Sequence, residues 1–189
     1  MQPFERPDPA HNPRLRDSCP LRKCGSPIVL SPEEEAEVAR LFTRYPTKQA
    51  AMLPILWMIQ EKHGWVSEEA VVFVAEQCGT PVSHVYGVVS FYTMFNRAPV
   101  GRYHLQVCTN LSCQMMGSEH LLECLKRRLG IDLAETTHDG LFTLNEVECL
   151  AACEMAPMLQ LNDEFVGPLD EGGLDALLEG LRAGGRGKG

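Results

Sequence analysis

Four cysteines constrain the second half of this chain more than any other feature: Cys108, Cys113, Cys149 and Cys153. They form two pairs, the first with four residues between its thiols and the second with three. Two close pairs of thiols can each hold one end of a two-centre metal cluster. A [2Fe–2S] cluster needs four thiolates, two at each tetrahedral iron, with bridging sulfides completing the shells. The spacing therefore indicates such a cluster. A chain that carries it is expected to transfer single electrons and to make or break no substrate bonds itself.

Other uses of the same cysteines stay open at this point. Structural zinc is usually held by pairs with two intervening residues. Two disulfides would need an oxidising compartment, whereas residues 1–24 lack the apolar central region of a secretory signal. A thioredoxin-like redox dithiol would need a Cys-x-x-Cys motif, and the sequence contains none.

Charge and hydropathy narrow the possible partners. The chain of 189 residues has a net charge of −8, and residues 25–181 hold 9 Lys/Arg against 22 Asp/Glu. This balance argues against nucleic acid and suits docking to a basic protein surface, although it is equally typical of ordinary solubility. The longest uncharged apolar stretch, at 50–59, is far shorter than the roughly 20 residues of a membrane helix. We therefore expect a reducing, cytoplasmic location and no direct membrane insertion.

The first half of the chain predicts a short arm and a helical bundle. Residues 1–30 hold six of the 13 prolines and predict a flexible arm. Ser31 and Glu34 predict a capping box that opens a first helix, and further helices are expected at about 47–63, at 67–78 and after residue 81. Pro54 falls inside the second of these and is expected to bend it. Together the helices predict a bundle over 31–95.

The second half has a different periodicity. Tyr103, Leu105 and Val107 alternate with polar residues, which predicts a half-buried strand. Further strands are predicted at 141–147, 158–161 and 164–166, with helices at 118–129 and near 174–181. This order predicts a thioredoxin-like α/β domain over 102–182, followed by a disordered tail at 183–189. The expected fold class is α+β, an N-terminal helical bundle followed by a thioredoxin-like α/β [2Fe–2S] ferredoxin domain.

Both ligand pairs fall on loops at strand ends, where backbone N–H groups can point at sulfur. The helix predicted after Cys113 would place its positive dipole near that thiolate. Met115 and Met116, beside Cys113, are expected to shield the cluster from solvent, a partner contact being the alternative. Phe91, Tyr92 and Phe95 form an aromatic stripe that is expected in the core. No catalytic side chain is predicted.

The other four cysteines are not expected to bind metal. Cys78 and Cys124 lie within helical patterns and are predicted to be small buried side chains. Cys19 and Cys24 repeat the four-residue spacing in the proline-rich arm, but no second pair is left to complete a site. We expect a mobile thiol pair there, with metal ligation as the alternative.

With these residues in place, the chain resembles the thioredoxin-like [2Fe–2S] subunit of NADH:quinone oxidoreductase, respiratory complex I. The resemblance covers roughly residues 31–181, with Ala151 standing where the family commonly has glycine. The matching segments are Tyr45-Pro46-Thr47-Lys48-Gln49-Ala50-Ala51, His63-Gly64-Trp65-Val66, Ser90-Phe91-Tyr92-Thr93-Met94-Phe95, Val107-Cys108-Thr109-Asn110-Leu111-Ser112-Cys113, Asp139-Gly140-Leu141-Phe142-Thr143-Leu144 and Glu148-Cys149-Leu150-Ala151-Ala152-Cys153-Glu154-Met155-Ala156-Pro157.

The resemblance implies a [2Fe–2S] cluster with Cys108 and Cys113 on one iron and Cys149 and Cys153 on the other. It also implies a partner flavoprotein subunit that binds FMN and NADH, further iron–sulfur subunits, and a place in the peripheral arm of a membrane-associated complex. The chain has neither a Gly-x-Gly-x-x-Gly motif after a strand nor a phosphate-binding loop motif, so we expect no nucleotide site of its own. Similar subunits occur in NAD-reducing hydrogenases and NAD-dependent formate dehydrogenases, and a structural zinc subunit is a further alternative.

Overall fold

The computed structural model describes residue 21 and residues 25–184. These residues belong to two compact units, a helical unit that ends at Pro99 and a sheet unit that begins at Val100. The thiol pair predicted at Cys19 and Cys24, and most of the predicted tail, lie outside the described residues. Among the described residues, no helix combines the length and the apolarity needed to cross a bilayer.

Among its described residues, the helical unit holds four α-helices whose ends are set by local capping. They are α1 (Pro32–Arg44), α2 (Met52–His63), α3 (Glu68–Cys78) and α4 (Val82–Phe91). The predicted capping box is confirmed, because Ser31 Oγ accepts the Glu34 N–H at 3.3 Å and Glu34 Oε2 accepts the Ser31 N–H at 2.6 Å. Gly64 and Gly79 end α2 and α3 in the left-handed conformation, with φ of 80° and 65°.

The helix predicted at 47–63 is two elements in the structure. Thr47 caps a 3-10 helix, Lys48–Ala51, and α2 begins directly after it at Met52. Pro54 is therefore the third residue of α2, where the backbone N–H of a helix has no partner within the helix. Pro54 thus lies in the first turn of α2 rather than in its interior, where it removes no hydrogen bond of α2, and the predicted bend stays a prediction.

The aromatic stripe predicted for the core is only partly buried. Phe95 is buried in the core of the helical unit, whereas Phe91 and Tyr92 are exposed. The helix ends at Phe91, so helical spacing no longer aligns these rings on one face. Within the predicted arm, the described residues Leu21, Ile28 and Leu30 pack against the same core.

The sheet unit holds five strands and three α-helices among its described residues. These are β1 (Tyr103–Cys108), α5 (Leu111–Met115), α6 (Ser118–Leu129), β2 (Glu135–Thr136), β3 (Phe142–Val147), β4 (Leu159–Leu161), β5 (Glu164–Val166) and α7 (Glu171–Arg182). The strand order is β2-β3-β1-β4-β5, with β1 and β3 parallel and the other neighbours antiparallel. Helices followed by a mixed sheet confirm the predicted α+β class.

The central strand β1 is buried on both faces rather than half-buried. On the face opposite Leu105, Cys108 is buried as well and Gln106 is partly buried. His104 is buried and its Nε2 lies 2.8 Å from Asn145 Nδ2. Burial lowers the pKa of His104 to about 4, which keeps the imidazole neutral.

Candidate metal centre

The four predicted ligand cysteines lie at one edge of the sheet. Cys108 is the last residue of β1, and Cys113 is the third residue of the short helix α5 that follows. Cys149 lies in the loop after β3, and Cys153 begins the 3-10 helix Cys153–Met155. Because β1 and β3 are parallel neighbours, with Cys108 opposite Val147, their carboxyl ends lead both cysteine loops to the same edge.

The thiols are close enough to interact with one another. The neighbouring thiols of Cys113 and Cys149 help to lower the pKa of Cys108, and those of Cys108 and Cys153 help to raise the pKa of Cys113. All four are free cysteines. Four thiols that meet from two loops are the donor set of a two-iron cluster, so the residues present fit a [2Fe–2S] group.

Backbone N–H groups surround the sulfurs and stabilise negative charge on them. Burial raises the pKa of the Cys108 thiol, but N–H groups of Asn110 and Leu150 and the neighbouring thiols outweigh burial and hold that pKa below its ordinary value of 9.0. The Ala151 N–H donates to Cys149 Sγ at 3.3 Å. The backbone of both cysteine loops thus provides hydrogen-bond donors to the sulfurs.

Cys108 and Cys113 behave as a coupled pair. Burial, followed by the hydrogen bond and the charge of Cys108, raises the pKa of Cys113 to about 11. Binding of iron would require both thiols as thiolates, since the thiolate is the form of cysteine that ligates metal.

The centre has one buried side and one exposed side. Cys108 and Cys113 are buried with Ala152, Ala156 and Met158, whereas Cys149 and Cys153 are exposed. Met115 and Met116 are 79% and 61% exposed, and their shielding of the cluster stays a prediction. They extend from α5 and the residue after it into solvent.

Two features of the centre were not predicted from the sequence. The first is α5, which places Cys113 inside a helical turn rather than before the helix 118–129. The second is the left-handed backbone of Ala151, with φ of 56°, which orients its N–H towards Cys149. Glycine, which the family commonly has at this position, adopts such a conformation more easily than alanine. The family's glycine was therefore the sequence signal for a left-handed residue here.

Comparisons with known proteins agree with this geometry. The family described as thioredoxin-like [2Fe-2S] ferredoxin matches residues 38–182. An NADH-quinone oxidoreductase subunit of Rhizobium meliloti is 48% identical over 150 residues, covering 79% of this chain and 88% of that protein. An NADH-quinone oxidoreductase subunit of Thermus thermophilus is 45% identical over 148 residues, covering 77% of this chain and 82% of that protein.

Among solved structures, a crystal structure of NAD+-reducing [NiFe]-hydrogenase in the H2-reduced state has a similar fold. Its TM-score is 0.64 at 21% identity, over 74% of this chain and 23% of that chain. The present chain thus spans about a quarter of that hydrogenase chain, and the likeness concerns the fold alone.

The chain belongs to the thioredoxin-like [2Fe–2S] ferredoxin family. Its cofactor is a [2Fe–2S] cluster, as the cysteine spacing predicted.

Proposed function

We propose that this chain is the electron-transfer subunit of an NADH:quinone oxidoreductase and accepts single electrons from the FMN of a partner flavoprotein subunit. Two relatives named as subunits of NADH-quinone oxidoreductase, 48% and 45% identical over most of their own length, support this reading. The observation in the structure that carries it is the meeting of four free thiols and several N–H donors at one sheet edge. The chain would lie in the peripheral arm of the complex, on the cytoplasmic side.

The proposed ligands are Cys108 and Cys113 at one iron and Cys149 and Cys153 at the other. When bound, the cluster supplies a carrier that holds one electron at a time. The chain's own residues supply four thiolates, exclude water on the side of Cys108 and Cys113, and direct N–H groups at the sulfurs. Those N–H groups stabilise the additional negative charge of the reduced state.

The exposed side of the centre is the proposed site of electron entry. Cys149 and Cys153 are exposed in the sheet unit, so a donor can approach them without crossing the protein. Leu111, Met115 and Met116 add exposed apolar side chains beside Cys113. An apolar rim next to an exposed ligand pair suits contact with the flavoprotein subunit.

An anaerobic reduction assay tests the proposed function. The isolated, cluster-loaded chain should keep its visible absorbance when NADH is added, because it has no nucleotide motif. Addition of the FMN-bearing subunit of the same complex, with NADH in large excess over NAD+, should then bleach part of that absorbance. Direct bleaching by NADH, or tight NADH binding by the isolated chain in calorimetry, would contradict the proposal.

The equivalent subunit of an NAD-reducing hydrogenase or an NAD-dependent formate dehydrogenase is the alternative host role. It would use the same centre beside a flavoprotein partner of the same kind, with electrons passing towards NAD+. Identification of the large subunits that co-purify with the tagged chain distinguishes the hosts.

A further inference from the structure

A second group of metal-binding side chains lies where α6 and α7 meet, away from the cysteine loops. His120 and Cys124 are four residues apart on α6, so they lie on the same face of that helix. Glu171, the first residue of α7, faces them. The His120 Nε2, the Cys124 Sγ and a Glu171 carboxylate oxygen all lie within 4.8 Å of one another.

The distances suit a single tetrahedral ion. His120 Nε2 lies 2.8 Å from Glu171 Oε1 and 3.6 Å from Cys124 Sγ. With zinc bonds of about 2.3 Å to sulfur and about 2.0–2.2 Å to nitrogen and oxygen, tetrahedral ligand atoms lie roughly 3.3–3.8 Å apart. Side-chain shifts of less than about 1 Å therefore separate the observed arrangement from a coordinated one.

We propose that His120, Cys124 and Glu171 bind a Zn²⁺ ion, with a water molecule as the fourth ligand. One thiolate, one imidazole and one carboxylate form a donor set that zinc accepts in tetrahedral geometry. Mg²⁺ and Ca²⁺ prefer sets made of oxygen alone, so sulfur and nitrogen disfavour them here. Cys124 is buried at the base of the group, while His120 and Glu171 are exposed at its rim and give the ion a path of entry.

The surrounding charges permit this coordination. Arg128 Nη2 donates to Glu171 Oε2 at 3.2 Å, which leaves Oε1 available to the ion. Hydrogen bonds from His120 and Arg128 lower the pKa of Glu171, so its carboxylate is already ionised at neutral pH. Arg128 also binds Asp175 and contacts Cys124, and it thereby has carboxylate partners besides the proposed site.

Binding requires the Arg127 and Arg128 side chains to withdraw from Cys124, and it requires the release of one proton. Arg127 Nη2 donates to Cys124 Sγ at 3.3 Å and would move away as the ion takes that sulfur. The Cys124 thiol gives its proton to solvent and becomes the thiolate ligand. The neutral His120 ring carries its proton on Nδ1 while Nε2 binds the ion.

The test uses the full chain with its [2Fe–2S] cluster loaded, so that the four cluster cysteines are occupied. Cys19 and Cys24 are changed to Ser in this parent to remove their thiols as competing ligands. After dialysis against buffered micromolar Zn²⁺, elemental analysis should find one zinc per chain in the parent. His120→Ala and Glu171→Gln should each weaken zinc binding at least tenfold, and both changes are at exposed side chains that the fold tolerates.

His138→Ala is the matched control, because His138 is an exposed histidine of the same unit outside the group. It should bind zinc as the parent does, and iron content should be equal in all variants. Zinc should also raise the thermal midpoint of the parent and of His138→Ala, but not that of His120→Ala. Absence of zinc from the parent, or equal zinc in the parent and His120→Ala, would overturn the proposal.

Discussion

Gly167 lies so close to the carbonyl oxygen of Met155 that no side chain fits between them. A Cβ on Gly167 would also stand 2.8 Å from Met158 Cβ. Met155 ends the 3-10 helix that begins at Cys153, so the residue after β5 limits the position of a cluster loop. A glycine distant from the four cysteines in sequence thereby contributes to the geometry of the centre.

We expect Gly167→Ala to impair cluster retention. The added methyl must push the Cys153–Met155 helix outwards, and overpacking of this kind costs about 1–3 kcal/mol. Iron content and visible absorbance after purification should fall well below those of the wild type. Gly180→Ala is the control, because nothing lies within 4 Å of a Cβ there, and iron should be unchanged. Full iron in Gly167→Ala would show that the loop adjusts without cost.

Ala151→Gly should stabilise the centre. Ala151 has φ of 56°, a conformation that is about 1–2 kcal/mol less favourable for alanine than for glycine. Glycine also makes the unfolded chain more flexible, which offsets about 0.4–1 kcal/mol of that gain in stability. Loss of iron to a chelator should become slower. Ala134→Gly relieves the same conformation, φ of 61°, away from the cysteines and should leave that rate unchanged. Faster iron loss in Ala151→Gly would contradict the role given to this residue.

The stability of the sheet unit should depend on pH through His104. Its pKa of about 4 in the folded protein lies below the value of 6.5 expected for the unfolded chain. The stabilising contribution is complete above pH 6.5 and is lost as the pH falls towards 4, because only the unfolded chain binds a proton in that range. Its upper limit is about 3 kcal/mol.

Comparison with His104→Gln isolates this effect. Urea unfolding followed by circular dichroism at several pH values gives the difference in free energy of unfolding between the wild type and the variant. Between pH 7.5 and pH 4.5, the free energy of unfolding of the wild type should fall relative to that of the variant by up to about 3 kcal/mol. A difference that does not change with pH would show that His104 is protonated normally in the folded protein.

Local signals predicted the helical half of the fold well. The ends of α1, α3 and α6 follow from Ser31, from Gly79 and from Gly130, since caps depend on residues next to each other in sequence. Features set by contacts distant in sequence were not predicted. The short strand β2 exists because it pairs with β3, and the burial of His104 depends on what packs over its face of the sheet. Alternation within one strand does not reveal whether it is central.

The cluster ligands could be proposed from spacing, but their surroundings could not. Sequence places two pairs of thiols on loops, and the parallel pairing of β1 with β3 is needed to show that these loops meet. The N–H donors of Asn110 and Leu150 come from backbone, which carries no sequence signature. The group formed by His120, Cys124 and Glu171 could not be predicted from the sequence either, because Glu171 joins it only through the contact of α7 with α6.

The reduction potential should be low. An oxidised all-cysteine [2Fe–2S] centre carries a net negative charge, and reduction adds to it within a chain of net charge −8. We expect a midpoint of roughly −400 mV or lower, as in plant-type ferredoxins, and a modest rise with added salt that screens surface carboxylates. The N–H donors at Cys108 and Cys149 act in the opposite direction. A midpoint above about −150 mV in a redox titration followed by EPR would contradict this expectation.

The most direct measurement is the iron content of eight single Cys→Ser variants of the full chain. We expect Cys108→Ser, Cys113→Ser, Cys149→Ser and Cys153→Ser to lose most of their iron and the EPR signal of the reduced cluster. The variants at Cys19, Cys24, Cys78 and Cys124 should keep both, and Cys78→Ser and Cys124→Ser also control for loss of a buried thiol. Full iron retention in both Cys108→Ser and Cys149→Ser would show that the cluster is held elsewhere.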